Sequence, residues 1–246
     1  MALPPAAALR PPVSASIRFQ DHRNTLSGQP PEDVFRFIYE NNVWGSTESH
    51  SGEGSGLAAT EVLRSTLPRL FEKYDLRSVL DAPCGDFTWM SHVDLAGIDY
   101  IGLDIVTTIV ARNRAHFTTP NRRFLVGDLI SDELPATNLI ICRDCLVHLT
   151  FEQIFAVFAN MARSGAEYVL ATTFLDIGVN QDAMTGDWRP LNLCAAPFNL
   201  PQPLEVVVEG CAEADGAYAD KSLGLWRVSS LPVRNPLERS HTVTAD

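Results

Sequence analysis

The spacing of apolar and polar positions changes period repeatedly along the chain, and each change marks an element. Near-continuous apolar runs occur at Val79-Leu80, Tyr100–Ile105, Asn138–Cys142 and Glu167–Phe174, with Arg122–Val126 a more polar one. Short apolar runs bounded by turn residues are the pattern of strands buried on both faces of a parallel sheet. Between and before them the apolar spacing becomes helical. Leu57–Tyr74 places Leu57, Val62, Leu63, Leu67, Leu70 and Phe71 at helical intervals, and Val106–Phe117 and Phe151–Ala162 predict two further helices. Pro30-Pro31-Glu32-Asp33 has the prolines and acids of a helix start, predicting a helix that packs Phe35, Ile38 and Tyr39 and ends near Asn41-Asn42. Leu204–Glu209 and Ser222–Val228 read as a closing strand pair. Strands alternating with helices define an α/β domain with a mostly parallel, seven-stranded sheet and helices on both faces. We place that domain at residues 31–231. Residues 1–30, rich in Ala and Pro without periodicity, are expected to be mostly disordered or draped, and 232–246 to be a flexible tail.

Composition narrows the partners. At 246 residues the chain suits one α/β domain with embellishments, and 46% hydrophobic content is enough for its core. The formal net charge of -11 argues against a nucleic-acid partner, because phosphate affinity comes from Lys and Arg. It also leaves no polybasic patch for an anionic membrane. No apolar run approaches a membrane span. The proline-cut start Met1–Arg10 lacks the apolar stretch of a secretory signal. The five cysteines are odd in number, and three lie in apolar strand-like settings, which suits reduced thiols and a cytoplasmic location.

The chemistry centres on Ser78-Val-Leu-Asp-Ala-Pro-Cys-Gly-Asp-Phe-Thr-Trp89. A buried strand ends in an acid, Asp81, breaks at Pro83 and Gly85, and resumes toward Trp89. Such a turn makes a ligand crevice at the carboxyl end of a sheet. Gly85, lacking a Cβ, lets the backbone turn tightly against a ligand, and Asp81 is placed to meet an ammonium. A dinucleotide site would need G-x-G-x-x-G. This turn has one glycine, and Asp86 stands where a diphosphate would be repelled.

Asp81-Ala82-Pro83-Cys84-Gly85 resembles motif I of the class I S-adenosylmethionine (SAM) methyltransferases, which have a Rossmann-like, doubly wound fold. Asp104, ending the second strand, is similar to their motif II, where an acid binds ribose hydroxyls; Ile105 would then lie on the adenine. Read without the resemblance, Asp104 is a helix cap. Asp128-Leu129 after the third strand matches the family's adenine-contacting acid, or is a solvated turn. Asn138–Leu149 is similar to motif IV, where the acceptor meets the methyl group, and brings Cys142 beside the cofactor. The resemblance implies SAM as cofactor and S-adenosylhomocysteine as product. It covers roughly residues 78–174.

Methyl transfer to a hydroxyl needs alignment of donor and acceptor, exclusion of water and a proton acceptor. Asp144 and His148, four residues apart, are the candidate bases, the carboxylate orienting the imidazole if the exit is helical. Their bland readings are a turn cap and a structural histidine. The Gly- and Ser-rich run Val43–Gly56 is either a linker or a lid. Trp44 within it favours a lid, with Ser51, Gly52 and Ser55 binding the methionyl carboxylate. Cys142-x-x-Cys145 lacks the context of a redox pair or a zinc site, so both read as packing cysteines, and no dedicated metal ligands stand out. Residues 176–203 are too irregular for one element, and a loop this long inside a domain is usually functional. We expect Arg143, Asp187, Trp188 and Arg189 to contact the acceptor, Trp188 offering a flat face to a ring. These flanking loops resemble a methyltransferase group linked to polysaccharide biosynthesis, implying a sugar or glycan hydroxyl, or another small molecule, as acceptor. N- or carboxyl-methylation and a non-catalytic SAM-binding module are the alternatives. Oligomeric state is not legible.

Overall fold

The computed structural model describes residues 10–233. Seven strands, β1 Ser78–Asp81, β2 Asp99–Asp104, β3 Arg122–Val126, β4 Leu139–Cys142, β5 Tyr168–Phe174, β6 Glu205–Val208 and β7 Lys221–Arg227, form one sheet in the order β3-β2-β1-β4-β5-β7-β6. Pairing is parallel from β3 through to β5; β7 runs antiparallel to both β5 and β6. This is the expected Rossmann-like, mostly parallel seven-stranded sheet.

Successive strand residues point to opposite faces, so one apolar run feeds two cores. Leu80, Ile140, Cys142, Val169 and Ala171 join one core with helix α6 (Phe151–Arg163). Val79, Leu139, Ile141, Tyr168 and Leu170 join the other with helix α4 (Glu61–Lys73) and with Trp89. Helix α5 (Thr107–Phe117) connects β2 to β3 and buries Val110 in that second core. Helix α6 starts where the sequence turns polar: the Thr150 hydroxyl accepts from the Gln153 amide, and the Gln153 side chain accepts from the Thr150 amide. Helix α4 begins at Glu61 rather than Leu57. Gly56 and Leu57 lie in a turn instead, and the Thr60 hydroxyl donates to the Gly56 carbonyl at 2.9 Å.

Chain order reverses between β1 and β4. From β1 the connection runs to β2 on one side, while β4 lies on the other, so a crevice opens at the carboxyl ends of these strands. Asp81, Asp104 and the exit of β4 all lie at that end.

The N-terminal segment corrects the expectation of a disordered or draped stretch. Residues 10–30 carry two short helices, α1 (Ser14–Gln20) and α2 (Arg23–Leu26), followed by α3 (Pro31–Glu40). Phe19, Leu26, Val34, Ile38 and Val43 form one buried cluster. The Arg10 guanidinium pairs with Asp220, and the Tyr218 hydroxyl donates to the Pro11 carbonyl at 2.6 Å. A few apolar anchors widely spaced among polar residues show no period, yet each is buried once the segment docks on the domain. Residues 1–9 and 234–246, the start of the N-terminal stretch and most of the expected tail, lie outside the described residues. No described helix is long and apolar enough to cross a membrane.

Candidate active site

The turn after β1 is held by Ser49 and Ser51 of the Gly- and Ser-rich run. Gly85 has φ +53, and a Cβ there would meet the Ser51 hydroxyl at 2.5 Å, so the position requires glycine twice over. The Asp86 amide donates to the Ser51 hydroxyl at 2.9 Å, and the Ser49 hydroxyl donates to the Asp86 carboxylate at 2.9 Å. Arg143 donates to the Gly54 carbonyl at 2.8 Å. The Val43–Gly56 run is therefore fastened across the β1 turn and the β4 exit; it is not a free linker.

Under this run lies a cleft of about 1040 Å³. Asp81, Pro83, Gly85 and Asp104 form its floor. Leu103, Ile105, Ile109, Leu129 and Ile130 make an apolar side, and Phe35, Tyr39 and Trp44 from the N-terminal elements cover it. Ser51, Ser55, Trp89, Asp128, Arg143, Asp144 and His148 also line it. Three expected residues do not. Ala82 and Cys142 are fully buried in the core, just after β1 and at the end of β4, where it is Cys145 that reaches the cleft. Gly52 lines a neighbouring cavity instead.

The acids of the floor are strained by burial. Asp104 accepts the Gly85 amide at 3.0 Å on one oxygen and the Val106 amide at 2.9 Å on the other. Burial still raises its carboxyl to about 6, against those backbone donors. Both readings of Asp104 are thus realised, since it ties the turn to the start of α5 and lines the cleft with lone pairs to spare. Burial pushes Asp81 to about 7, although the Tyr100 hydroxyl donates to it at 2.5 Å. Asp128 accepts from the Ile130 amide at 2.8 Å and the Ser131 hydroxyl at 3.0 Å, as a turn residue would, and also faces the cleft.

Asp144 and His148 do not pair as expected. Asp144 has φ +50, and the following turn, Leu146–His148, is a 3-10 rather than an α-turn, so the shared helical face is lost. The Asp144 carboxylate binds Lys221 Nζ at 2.6 Å and Arg143 at 3.3 Å. Burial opposes its ionisation, but the two cations outweigh burial and hold it well below the usual carboxylate range. Arg143 in turn grips Glu209 at 2.6 Å and lies over the Trp89 ring, and Lys221 approaches Glu209 at 3.6 Å. Arg143, Asp144, Glu209 and Lys221 form a closed lattice of two cations and two anions. Arg143, expected to contact the acceptor, has its donors committed to this lattice and to Gly54.

His148 is 6% exposed. Its Nδ1 lies 3.0 Å from the Asp187 carbonyl, which accepts only if Nδ1 carries the proton. The ring stacks on Trp44 at 4.6 Å. Burial lowers its pKa to about 4. The imidazole is thus neutral, and Nε2 makes no hydrogen bond with any described residue.

A second cavity, about 890 Å³, abuts the cleft. Trp44, Ser51, Asp144 and His148 line both and form the wall between them. Its apolar walls are Val13, Ile17, Phe174, Trp188 and Tyr218, with the Trp188 ring edge-on to Phe174 and Tyr218. Glu53, Asp144, Glu213 and Lys221 are its charged residues. Of the residues expected from the 176–203 loop, only Trp188 lines it. The Asp187 carboxylate turns away to α1 and α2, and Arg189 donates to the carbonyls of Leu146, Leu149 and Gln181. Both are buried scaffold for the His148 turn. Lys221, Glu213, Tyr218 and the α1 residues escaped the sequence reading, because they lie in a strand pair and a segment that carry no motif. No group of three or more His, Cys, Asp or Glu side chains gathers as metal ligands among the described residues.

No protein-family model and no curated protein matches the sequence significantly. Solved structures share the fold. Human N-acetylserotonin methyltransferase in complex with SAM superposes with TM-score 0.53 at 14% identity, over 87% of this chain and 66% of that one. TnmH gives 0.55 at 15% identity, over 87% of this chain and 68% of that one. LaPhzM gives 0.53 at 13%, over 87% and 69%. The chain thus spans about two thirds of the length of these neighbours, and at such identities the likeness is one of fold.

Proposed function

We propose that this protein transfers a methyl group from SAM to a hydroxyl of a small acceptor held in the second cavity, with His148 as the base. The observation that carries the reading is His148 in the wall between the two cavities, its Nδ1 tied to a carbonyl and its Nε2 unpartnered. The fold neighbour with SAM bound supports the cofactor assignment.

The cleft fits SAM in its chemistry. Five carboxylates line it, from Asp81, Asp86, Asp104, Asp128 and Asp144. Its one guanidinium, Arg143, is committed elsewhere. Such a site suits a cationic ligand without phosphates. Asp104 would hold the ribose, the Ile105–Leu129 side the adenine, Asp81 the ammonium, and Ser51 and Ser55 the carboxylate. Bound there, SAM supplies an electrophilic methyl group.

The chain's own residues do the rest. Trp44, Phe35 and Tyr39 cover the cleft and exclude water. The Asp187 carbonyl keeps His148 in the tautomer whose Nε2 can take a hydroxyl proton. Asp144 is a poor base with its charge neutralised by Lys221 and Arg143, so it serves to balance charge. The aromatic walls and polar rim suit a ring bearing hydroxyls, and the resemblance of the flanking loops favours a sugar or glycan. Glu53 and Glu213 in the same cavity disfavour a carboxylate acceptor.

Titration calorimetry with SAM and S-adenosylhomocysteine, then transfer of labelled methyl to a panel of sugars and phenols, tests this. Binding of both cofactors and methylation of a hydroxyl acceptor are expected. Methylation confined to amines, or no SAM binding, overturns the proposal.

A further inference from the structure

The residue that fixes the base also holds the N-terminal helices. The Asp187 carboxylate, buried against α1 and α2, accepts from the Ser16 hydroxyl at 3.0 Å, the Gln20 amide at 3.2 Å and the Arg23 guanidinium at 3.0 Å. Its carbonyl accepts from His148 Nδ1 at 3.0 Å. The segment around it is knitted to the histidine turn: the Gly186 amide donates to the His148 carbonyl at 2.8 Å, and the Arg189 amide to that of Val147 at 3.2 Å. Gly186 has φ +90, and a Cβ there would meet Val34 at 2.6 Å and Phe19 at 2.9 Å. The N-terminal cluster thus presses directly on the backbone that positions the imidazole. The same helix supplies Ser14, Ala15 and Ile17 to the acceptor cavity.

We infer that Asp187 is a positioning residue, coupling the docking of α1 and α2 to the orientation and tautomer of His148. Helices α1 and α2 then act as working parts of the site, and their detachment leaves SAM binding in place while disabling the base. This rests on the proposed role of His148.

Three charged groups act on the imidazole through space: Asp144 from the β4 exit, and Asp187 and Arg189 from the knitted segment. Burial dominates over them. Undocking would admit water and return His148 from about 4 toward its ordinary value near 6.5.

Asp187→Ala is the test. With ¹⁵N-histidine labelling, and the His148 signals assigned by their loss in His148→Ala, the wild type is expected to show the Nδ1–H tautomer and a low midpoint. The variant is expected to show mixed tautomers and a midpoint more than one pH unit higher. Its kcat should fall about ten- to hundredfold through lost alignment, with SAM affinity within threefold. A general loss of stability would lower the active fraction without moving the midpoint. A folded Asp187→Ala with wild-type tautomer, midpoint and kcat overturns the inference. If that variant does not fold, Ser16→Ala/Gln20→Ala/Arg23→Ala decides by the same readouts, leaving residues 185–189 unchanged. A wild type that methylates nothing overturns the function reading instead, and the tautomer and midpoint still judge the coupling.

Discussion

His148 and Asp144 share one wall, and their surroundings drive them to opposite fates. Two cations keep Asp144 ionised, whereas burial without a charge partner keeps His148 neutral. Of the two, His148 is the stronger base: it stands at about 4, whereas Asp144 is held well below the usual carboxylate range. His148→Ala should therefore lower kcat by about 10²- to 10⁴-fold, the usual worth of a general base, with little change in SAM affinity. Steady-state kinetics beside calorimetry separates the two, and a variant with the wild-type rate removes His148 as base. The pH dependence follows in sign. Protonation inactivates the base, so kcat/KM for the acceptor at saturating SAM should stay level from about pH 8 down to about pH 6 and fall toward pH 4; a midpoint near 7 would contradict the buried, neutral imidazole. Asp104→Ala is expected to weaken SAM by about 1–3 kcal/mol in calorimetry, as for a lost hydrogen bond to a charged group. Unchanged affinity would rule out the ribose assignment.

Elements differ in how openly the sequence announces them. Strands β1, β2, β4 and β5 were legible because each is apolar on both faces, and helices α4, α5 and α6 because their apolar faces repeat. Asp81, Gly85 and Asp104 were legible for a related reason: the two acids end buried strands and the glycine sits in the turn after the first, where none has a packing role. Helix α1 was not. It buries Phe19 alone among its residues, and its remaining ties are polar contacts to the Trp44 carbonyl and to a loop about 170 positions away. Glu209 and Lys221 escaped for the same reason, since their partners Arg143 and Asp144 are distant in sequence and nothing local marks the lattice. Asp187 and Arg189 were read as acceptor ligands from their company with Trp188, but their side chains are consumed by carbonyls and helix donors. The docking of α3 on the 185–189 segment can be tested through Gly186. Substitution by alanine there meets a left-handed φ and Cβ contacts of 2.6–3.0 Å with Val34, Phe19 and Ile38. A loss of at least about 1–3 kcal/mol is expected in denaturant unfolding, and near-wild-type stability would mean that this packing is loose.

For the whole molecule, part of the acidity behind the net charge of -11 reaches the site, where five of the 30 Asp and Glu residues line the cleft. Burying Asp81 and Asp104 side by side in the cleft raises both carboxyls, to about 7 and about 6. Each is harder to ionise folded than unfolded. Their effect on stability therefore diminishes folding as pH rises from the ordinary carboxylate value through 6 to 7. A ligand ammonium or other cation in the cleft relieves that cost, because it favours the ionised acids that the empty fold disfavours. Binding should thus both stabilise the fold and release protons near pH 6–7. At a hundredfold excess over Kd, a ligand that binds only the folded state adds about 2.7 kcal/mol. For a chain of this size that is a rise in Tm of roughly 5–10 °C. SAM and S-adenosylhomocysteine are expected to produce it in thermal unfolding, and calorimetry in buffers of different ionisation enthalpy should show the proton release. NADH should produce neither, because its diphosphate would face five carboxylates with no uncommitted cation in the cleft. Stabilisation by NADH would reverse the electrostatic reasoning. Failure of SAM and S-adenosylhomocysteine alike to move Tm would remove the cofactor assignment and leave the seven-stranded fold standing.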